Sequence, residues 1–315
     1  VPGNARTPAA DGVPGGPRRA AVLGHPIAHS LSPALHRAAY AALGLARWEY
    51  TAVDVTGGEL PGFLRGLGRQ WAGLSLTMPL KRTVRPLLVR ESPLASAVGA
   101  VNTVVLGTHG PVGHNTDVPG IVAALRRAGV DRLPPEGAAV LGGGATAASA
   151  LAALRELGCD RPRVLVRSRA RSADLLTACE RLGCSPALSG LQEAVDGRAG
   201  PVDLRVVVST LPPGAADPLA AGLVRSLGPG TRPDAIRAGG DPPEGPPVLL
   251  DVVYAPWPTA LAGAWRAGGG TAVGGFEMLL YQAVGQVELM TGLQAPVERM
   301  RRAGERALAR GTAAG

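Results

Sequence analysis

Four groups of residues in this 315-residue sequence have types and spacings that suit chemistry. The first is the triple glycine Gly142, Gly143 and Gly144, between the apolar run Ala138 to Leu141 and an alanine-rich helical pattern through Leu154. With Ala147 it fits G-x-G-x-x-A: one glycine for a tight turn, one for the approach of a pyrophosphate, and a small residue for helix–sheet packing. The phosphates would lie at the helix N-terminus, beside Ala145 and Thr146, where free N–H groups and the helix dipole favour anions. The second group is Arg167-Ser168-Arg169-Ala170-Arg171, after the apolar run Arg163 to Val166. A site selecting a free ribose 2′-hydroxyl would carry Asp or Glu there; arginines suit a phosphate and point to NADP. A solvated arginine run is the plainer alternative.

The third group is the hydroxyl pair Ser30 and Ser32 at a predicted helix start, a natural pocket for a carboxylate. The plainer reading makes Ser32 the N-cap, with Pro33 at the first helical position. The fourth is Lys81, two residues beyond Pro79, which is expected to open a helix. A lysine in that first turn opposes the dipole, which disfavours its charged form and suits an acid–base group; a surface lysine at an imperfect helix start reads equally simply. Asn102, Asn115, Thr116 and Asp117 add four short polar side chains at strand ends, where ligand groups are commonly held. Asp117 could also be no more than the N-cap of a helix from Pro119.

The elements that must carry these groups alternate between strand and helix. Strands are expected at Ala20 to Leu23, Trp48 to Val53, Leu74 to Thr77, the end of Ala97 to Leu106, Ala138 to Leu141, Arg163 to Val166, Leu204 to Val208 and Val248 to Val253. Helices are expected from Ser32, over Leu60 to Leu67, from Pro79, from Pro119, after the glycine turn, from Gly274 to Gly292 and over Val297 to Arg310. Residues 1–18 are a Pro/Gly-rich tail expected to be disordered, and residues 226–247 a long surface loop. The fold class is therefore α/β in two domains. Residues 19–118 form an N-terminal α/β substrate domain and 119–273 a Rossmann-type dinucleotide domain, while helices from Gly274 onward return to the first. A ligand cleft between the two is the expectation for such a plan.

Composition narrows the class further. Only 3% of residues are aromatic, so the core must be aliphatic. Three cysteines without a C-x-x-C motif make neither a disulfide framework nor a zinc site, no metal is expected, and a reducing cytoplasm is the expected compartment. No apolar run reaches membrane-spanning length, and the first residues lack a signal-peptide core. The net charge of +8 is spread without aromatic interleaving, which fits anionic small ligands and a solvated surface better than nucleic acid. A homodimer is compatible with the sequence and not required by it.

Eight motifs in order, GHPIAHSLSP, GLSLTMPLK, GAVNT, GHNTD, GGGATA, RSRAR, DVVYAPWPT and EMLLYQA, give the chain a resemblance to the shikimate dehydrogenase family from about Ala20 to Gly292. The resemblance implies an NADP-dependent enzyme of aromatic amino acid (chorismate) biosynthesis that interconverts 3-dehydroshikimate and shikimate. It implies that Ser30 and Ser32, with Tyr254, bind the substrate carboxylate. Thr77, Asn102 and Gln282 surround the ring hydroxyls, with Ser75 at a position that usually touches one, and Lys81 and Asp117 form the catalytic pair. Gly142 to Thr146 cradle the pyrophosphate, Arg167, Ser168 and Arg171 hold the 2′-phosphate, and Gly275 and Met278 adjoin the nicotinamide. Three positions depart from the family: Ser75 and Arg37 stand where Asn is usual, and Val166 where Asn usually precedes the arginine. Ser75 keeps relatives acting on quinate or aminoshikimate open. A methylene-tetrahydrofolate dehydrogenase plan is disfavoured by the Ser30/Ser32 pair, and a non-catalytic NADP-binding sensor by the presence of Lys81 and Asp117.

Overall fold

A computed structural model describes residues 17–196, 198, 204–228 and 245–313, without the side chains of Arg171 and 311–313. The chain divides into two compact units, one through Thr116 and again from Leu279 onward, the other Asp117–Met278. Most of the loop expected at 226–247, and the tail up to residue 16, lie outside the described residues. The loop begins later than expected, because helix Ala220–Leu227 continues through Ser226.

The first unit is built on a six-stranded sheet. Its strands are β1 (Arg18–Gly24), β2 (Trp48–Asp54), β3 (Trp71–Leu76), β4 (Arg90–Glu91), β5 (Thr103–Gly107) and β6 (Gly110–His114), in the order β2-β1-β3-β5-β6-β4. β1 pairs in parallel with both β2 and β3; β5 turns back antiparallel to β3 and forms a hairpin with β6. Arg18, assigned to the tail from sequence, is already in β1: its strand partner is Trp48, and its Nη1 donates to the Arg69 carbonyl at 3.0 Å. Leu23, Leu60, Leu74, Leu76, Leu80, Val84 and Val104 meet in one aliphatic cluster. The edge strand β2 buries only Tyr50 fully along its length.

The second unit holds β7 (Ala138–Leu141), β8 (Arg163–Val166), β9 (Ala187–Gly190), β10 (Val206–Ser209), β11 (Val248–Asp251) and β12 (Thr271–Gly274). All neighbours are parallel, in the order β12-β11-β10-β7-β8-β9. Read from the other edge this is 3-2-1-4-5-6, the doubly wound dinucleotide-binding order, with its switch point between β7 and β10. Every residue of β7, β10 and β11 is buried, as expected of strands covered on both faces. Trp265 is the single aromatic residue in this unit's main buried cluster. The elements without a sequence expectation include β4, β9 and β12 and the helices Pro93–Val98, Ala173–Leu182, Leu191–Val195, Ala220–Leu227 and Ala260–Ala267.

Candidate active site

In the first unit, local chain geometry differs from the expected caps. Helix Ser32–Ala42 already includes Ser32, and no side chain caps it through the preceding Leu31. The capping oxygen belongs instead to Ser30, whose Oγ accepts from the Ser32 N–H at 3.3 Å. Ser32 is thereby released from capping, and its buried hydroxyl hydrogen-bonds to Tyr50.

Lys81 also sits differently. The helix after Pro79 is only Leu80–Thr83, so Lys81 lies in its first and last turn at once, and the dipole argument for its acid–base character does not apply. What places Lys81 is its carbonyl, which accepts from the Val101 N–H at 2.8 Å, one residue before Asn102. Thr77 ends the same segment: its N–H donates to the Leu23 carbonyl at 2.9 Å, which sets it beside the end of β1.

Asn102 is fully buried and held at both ends of its amide. Its Oδ1 accepts from the Thr116 N–H at 2.8 Å and the Thr103 hydroxyl at 2.9 Å. Its Nδ2 donates to Thr116 Oγ1 at 2.9 Å and Gln282 Oε1 at 3.2 Å. Ser75, also buried, accepts from the Tyr50 hydroxyl at 2.6 Å and lies 2.8 Å from Gln286 Oε1. Gln286 in turn donates to the Asn102 carbonyl and to Thr103 Oγ1, each at 3.2 Å. Ser32, Ser75, Asn102 and Gln282 thus belong to one continuous hydrogen-bonded set, joined by Tyr50 and Gln286.

Those two joining residues, with His36, escaped the sequence reading. His36 lies completely buried, stacked on Tyr50 with ring centroids 3.9 Å apart and planes at 16°. Burial pushes its pKa down to about 3, against a smaller opposing effect of its hydrogen bond to Gln286. Burial raises the Tyr50 phenol well above its ordinary value, opposed by its bonds to Ser75 and Ser32. A usable signal did exist: His36 and Gln286 each lie four residues beyond a singled-out residue on the same helix, Ser32 and Gln282, and so share its face. Arg37, one of the departures, donates from Nε to the Tyr50 carbonyl at 2.8 Å and so steadies β2.

In the second unit, Asp117 is buried and is the first residue of helix Asp117–Arg127, two positions earlier than the start expected at Pro119. The glycine turn follows β7 as anticipated. Gly142 adopts φ +116°, and a Cβ there would collide with Thr210 Oγ1, so only glycine fits. Helix Ala145–Glu156 begins after Gly144 with no side-chain cap, leaving the N–H groups of Ala145 and Thr146 to an outside acceptor. Nothing among the described residues lies within 4 Å of the Cβ position of Gly144, so the turn is open on that side. Ala147 is buried against the sheet, as the third motif position requires.

Because β7 and β8 pair in parallel, with Leu141 opposite Leu165, the turn lies alongside the arginine run. Arg167 is exposed, and among the described residues no hydrogen bond or ion pair engages it. Ser168 is half-buried, and its carbonyl accepts from the Ser172 hydroxyl at 3.2 Å. Arg169 is paired with Glu193 at 2.6 Å. Arg171 closes the short helical turn Arg169–Arg171; its side chain lies outside the described residues. These residues fit a 2′-phosphorylated dinucleotide: open N–H groups for the pyrophosphate, a free guanidinium for the phosphate, and no carboxylate at the end of β8.

Tyr254 lies in the turn after β11, half-buried, and burial raises its pKa. Asp251 organises that turn by accepting from the Thr259 hydroxyl at 2.7 Å and the Val253 N–H at 3.3 Å. Gly275 begins helix Gly275–Thr291, and a Cβ there would collide with the Val252 carbonyl oxygen, so close backbone packing alone demands glycine. Met278 is buried one turn further along that helix.

Residues 22–104 match the family model for the shikimate dehydrogenase substrate binding domain, and residues 275–303 that for the shikimate 5′-dehydrogenase C-terminal domain. The shikimate dehydrogenase (NADP(+)) of Rubrobacter xylanophilus is 38% identical over 290 residues, covering 90% of this chain and 93% of the relative. The chain belongs to the shikimate dehydrogenase family. Among shikimate dehydrogenases of known structure, that of Mycobacterium tuberculosis aligns with a TM-score of 0.75 at 38% identity, over 93% of this chain and 100% of its own. The shikimate 5-dehydrogenase of Thermus thermophilus, solved in complex with NADP(H) and shikimate, aligns with a TM-score of 0.73 at 34% identity, over 92% and 99%. Set in this family, the Ser75 departure is not a gap in the hydrogen bonding of the first unit, since Tyr50 and Gln286 close on it.

Proposed function

We propose that the protein is an NADP-dependent shikimate dehydrogenase that interconverts 3-dehydroshikimate and shikimate. One observation carries the proposal: near-full-length similarity to proteins of that name, in a chain that has Lys81 and Asp117 and an exposed Arg167 with no partner among the described residues. The unit through Thr116 takes the substrate in this reading, and the unit Asp117–Met278 takes the nucleotide. Bound NADPH supplies a hydride to the ketone carbon. Lys81, as an ammonium, gives a proton to the developing alkoxide and stabilises its charge, while Asp117 orients the lysine and accepts a neighbouring ring hydroxyl. Ser30 and Ser32, with Tyr254, hold the carboxylate; Ser75, Thr77, Asn102 and Gln282 hold the ring hydroxyls. Gly142, Gly143, Gly144, Ala145 and Thr146 cradle the pyrophosphate, Arg167, Ser168 and Arg171 the 2′-phosphate, and Gly275 and Met278 flank the nicotinamide.

Among the described residues no helix is long and apolar enough to cross a membrane. The three cysteines are free and buried, which suits the cytoplasm we assign to it. The test is NADPH formation by purified protein given NADP and shikimate, with quinate and with NAD in parallel. Turnover restricted to shikimate and NADP is expected. Turnover on quinate instead would transfer the protein to the quinate branch of the family, and tight NADP binding without turnover would make it a sensor.

A further inference from the structure

The direction of the buried hydrogen bonds in the first unit is fixed by one main-chain carbonyl. The Asn102 oxygen can only accept, so the Gln286 amide must turn its NH₂ toward it. Gln286 Oε1 then faces Ser75 Oγ at 2.8 Å and His36 Nε2 at 3.2 Å, and both of those groups must donate. With its proton on Gln286, Ser75 accepts the only proton of Tyr50. On the other side, Thr103 receives the second Gln286 N–H and passes its own proton to Asn102 Oδ1. Neither Tyr50 nor Gln286 is more than 1% exposed, so neither side chain reaches solvent. A polar group so deeply buried is costly unless every bond is made, and here an apolar side chain would fill the same space.

We infer that Tyr50 and Gln286 are substrate-positioning residues, which supply from an edge strand and a helix the hydroxyl and amide that a longer side chain at position 75 would otherwise supply. They hold Ser32, Ser75 and Asn102 as one unit. Tyr50 is rigid enough for this, clamped by its stack on His36 and by Arg37 on its carbonyl. The arrangement has a chemical consequence. With its proton on Gln286 and one lone pair taken by Tyr50, Ser75 has only a lone pair left to offer, so it favours a ligand hydroxyl and disfavours a carbonyl or ether oxygen. The inference rests on the shikimate reading above.

The test is steady-state kinetics of the intact enzyme with three substitutions. Tyr50→Phe keeps the ring stack and removes the proton; Gln286→Met keeps the volume and removes both ends of the amide. Each is expected to raise the KM for shikimate about three- to tenfold, the worth of a neutral hydrogen bond, and to leave the KM for NADP within about twofold. Ser75→Asn alone is expected to lower kcat/KM for shikimate about tenfold, because the Gln286 amide already occupies the space it needs. Combined with Gln286→Ala, it should regain most of that loss. The inference is overturned if Tyr50→Phe and Gln286→Met leave the shikimate KM at the wild-type value, if they shift both KM values alike, or if the double variant is no better than Ser75→Asn. Should Gln286→Met fail to fold, Tyr50→Phe decides by the same readout. The wild type separates the two ways to fail: no shikimate turnover by it removes the substrate reading, whereas wild-type turnover with indifferent variants removes only the positioning role.

Discussion

The two regions proposed to face the ligands are made by opposite means. On the substrate side, side chains from positions as far apart as Ser75 and Gln286 meet in a buried set of neutral donors and acceptors. On the nucleotide side, a contiguous glycine turn offers main-chain N–H groups, and the adjacent strand end offers an exposed arginine. The difference follows from the ligands. Hydroxyls on a ring are discriminated by fixed, desolvated partners, whose misalignment leaves buried groups unpaired. Phosphates are bound by charge and by dipoles that tolerate solvent.

The hardest test of this division is Lys81→Ala, which should lower kcat about 10²-fold or more with little change in the KM for NADP. Near-normal turnover would remove Lys81 from the chemistry and leave the substrate side as a binding site alone. Next in size is Arg167→Ala. Loss of a charge-assisted contact should raise the KM for NADP about ten- to a hundredfold while the KM for shikimate stays put. A parallel rise in both constants would show that the two regions are not separable in this way.

Acid should act on the substrate side specifically. His36 binds a proton near pH 6.5 when unfolded and only near 3 when folded, so the unfolded chain is favoured between those values. The contribution is fully present above pH 6.5 and declines as the pH falls toward 3, by about 2 kcal/mol between neutral pH and pH 5. Thermal melting across that range should show the decline in the wild type and a flatter profile in His36→Phe; matching profiles would locate the acid sensitivity elsewhere. The smallest effect belongs to Arg169→Ala. Glu193 already neutralises that guanidinium, so the KM for NADP should change by no more than about threefold. An effect as large as that of Arg167→Ala would reassign the phosphate contact.

The same contrast governs what could be read from the sequence. The nucleotide side was legible because its parts are contiguous: β7, the turn, its helix and β8 appear where the apolar run, the glycines and the next apolar run place them. The substrate-side motifs suggested two local mechanisms that the fold overturns. Whether Ser30 or Ser32 caps a helix depends on which residue adopts the first helical conformation, and both hydroxyls fit the pattern. The dipole argument for Lys81 needed a helix longer than four residues, a length its sequence did not signal. Tyr50 was hidden for another reason: its bond to Ser75 joins β2 to β3, two strands that only the folded sheet brings together on either side of β1, whereas Gln286 carried no more than its spacing from Gln282. β12 was lost in a glycine-rich stretch, where four residues become a strand chiefly by pairing with β11.

The sealed position of His36 also makes it a natural reporter. Its bond to Gln286 fixes the proton on Nε2, in a ring shut away from water. Imidazole N–H protons usually exchange with solvent too fast to be seen in a proton magnetic resonance spectrum, but this one, among five histidines, should persist as a sharp, slowly exchanging signal. Its chemical shift would follow the Gln286 carbonyl directly, so substrate entering beside Ser75 could be watched at a ring that never touches it.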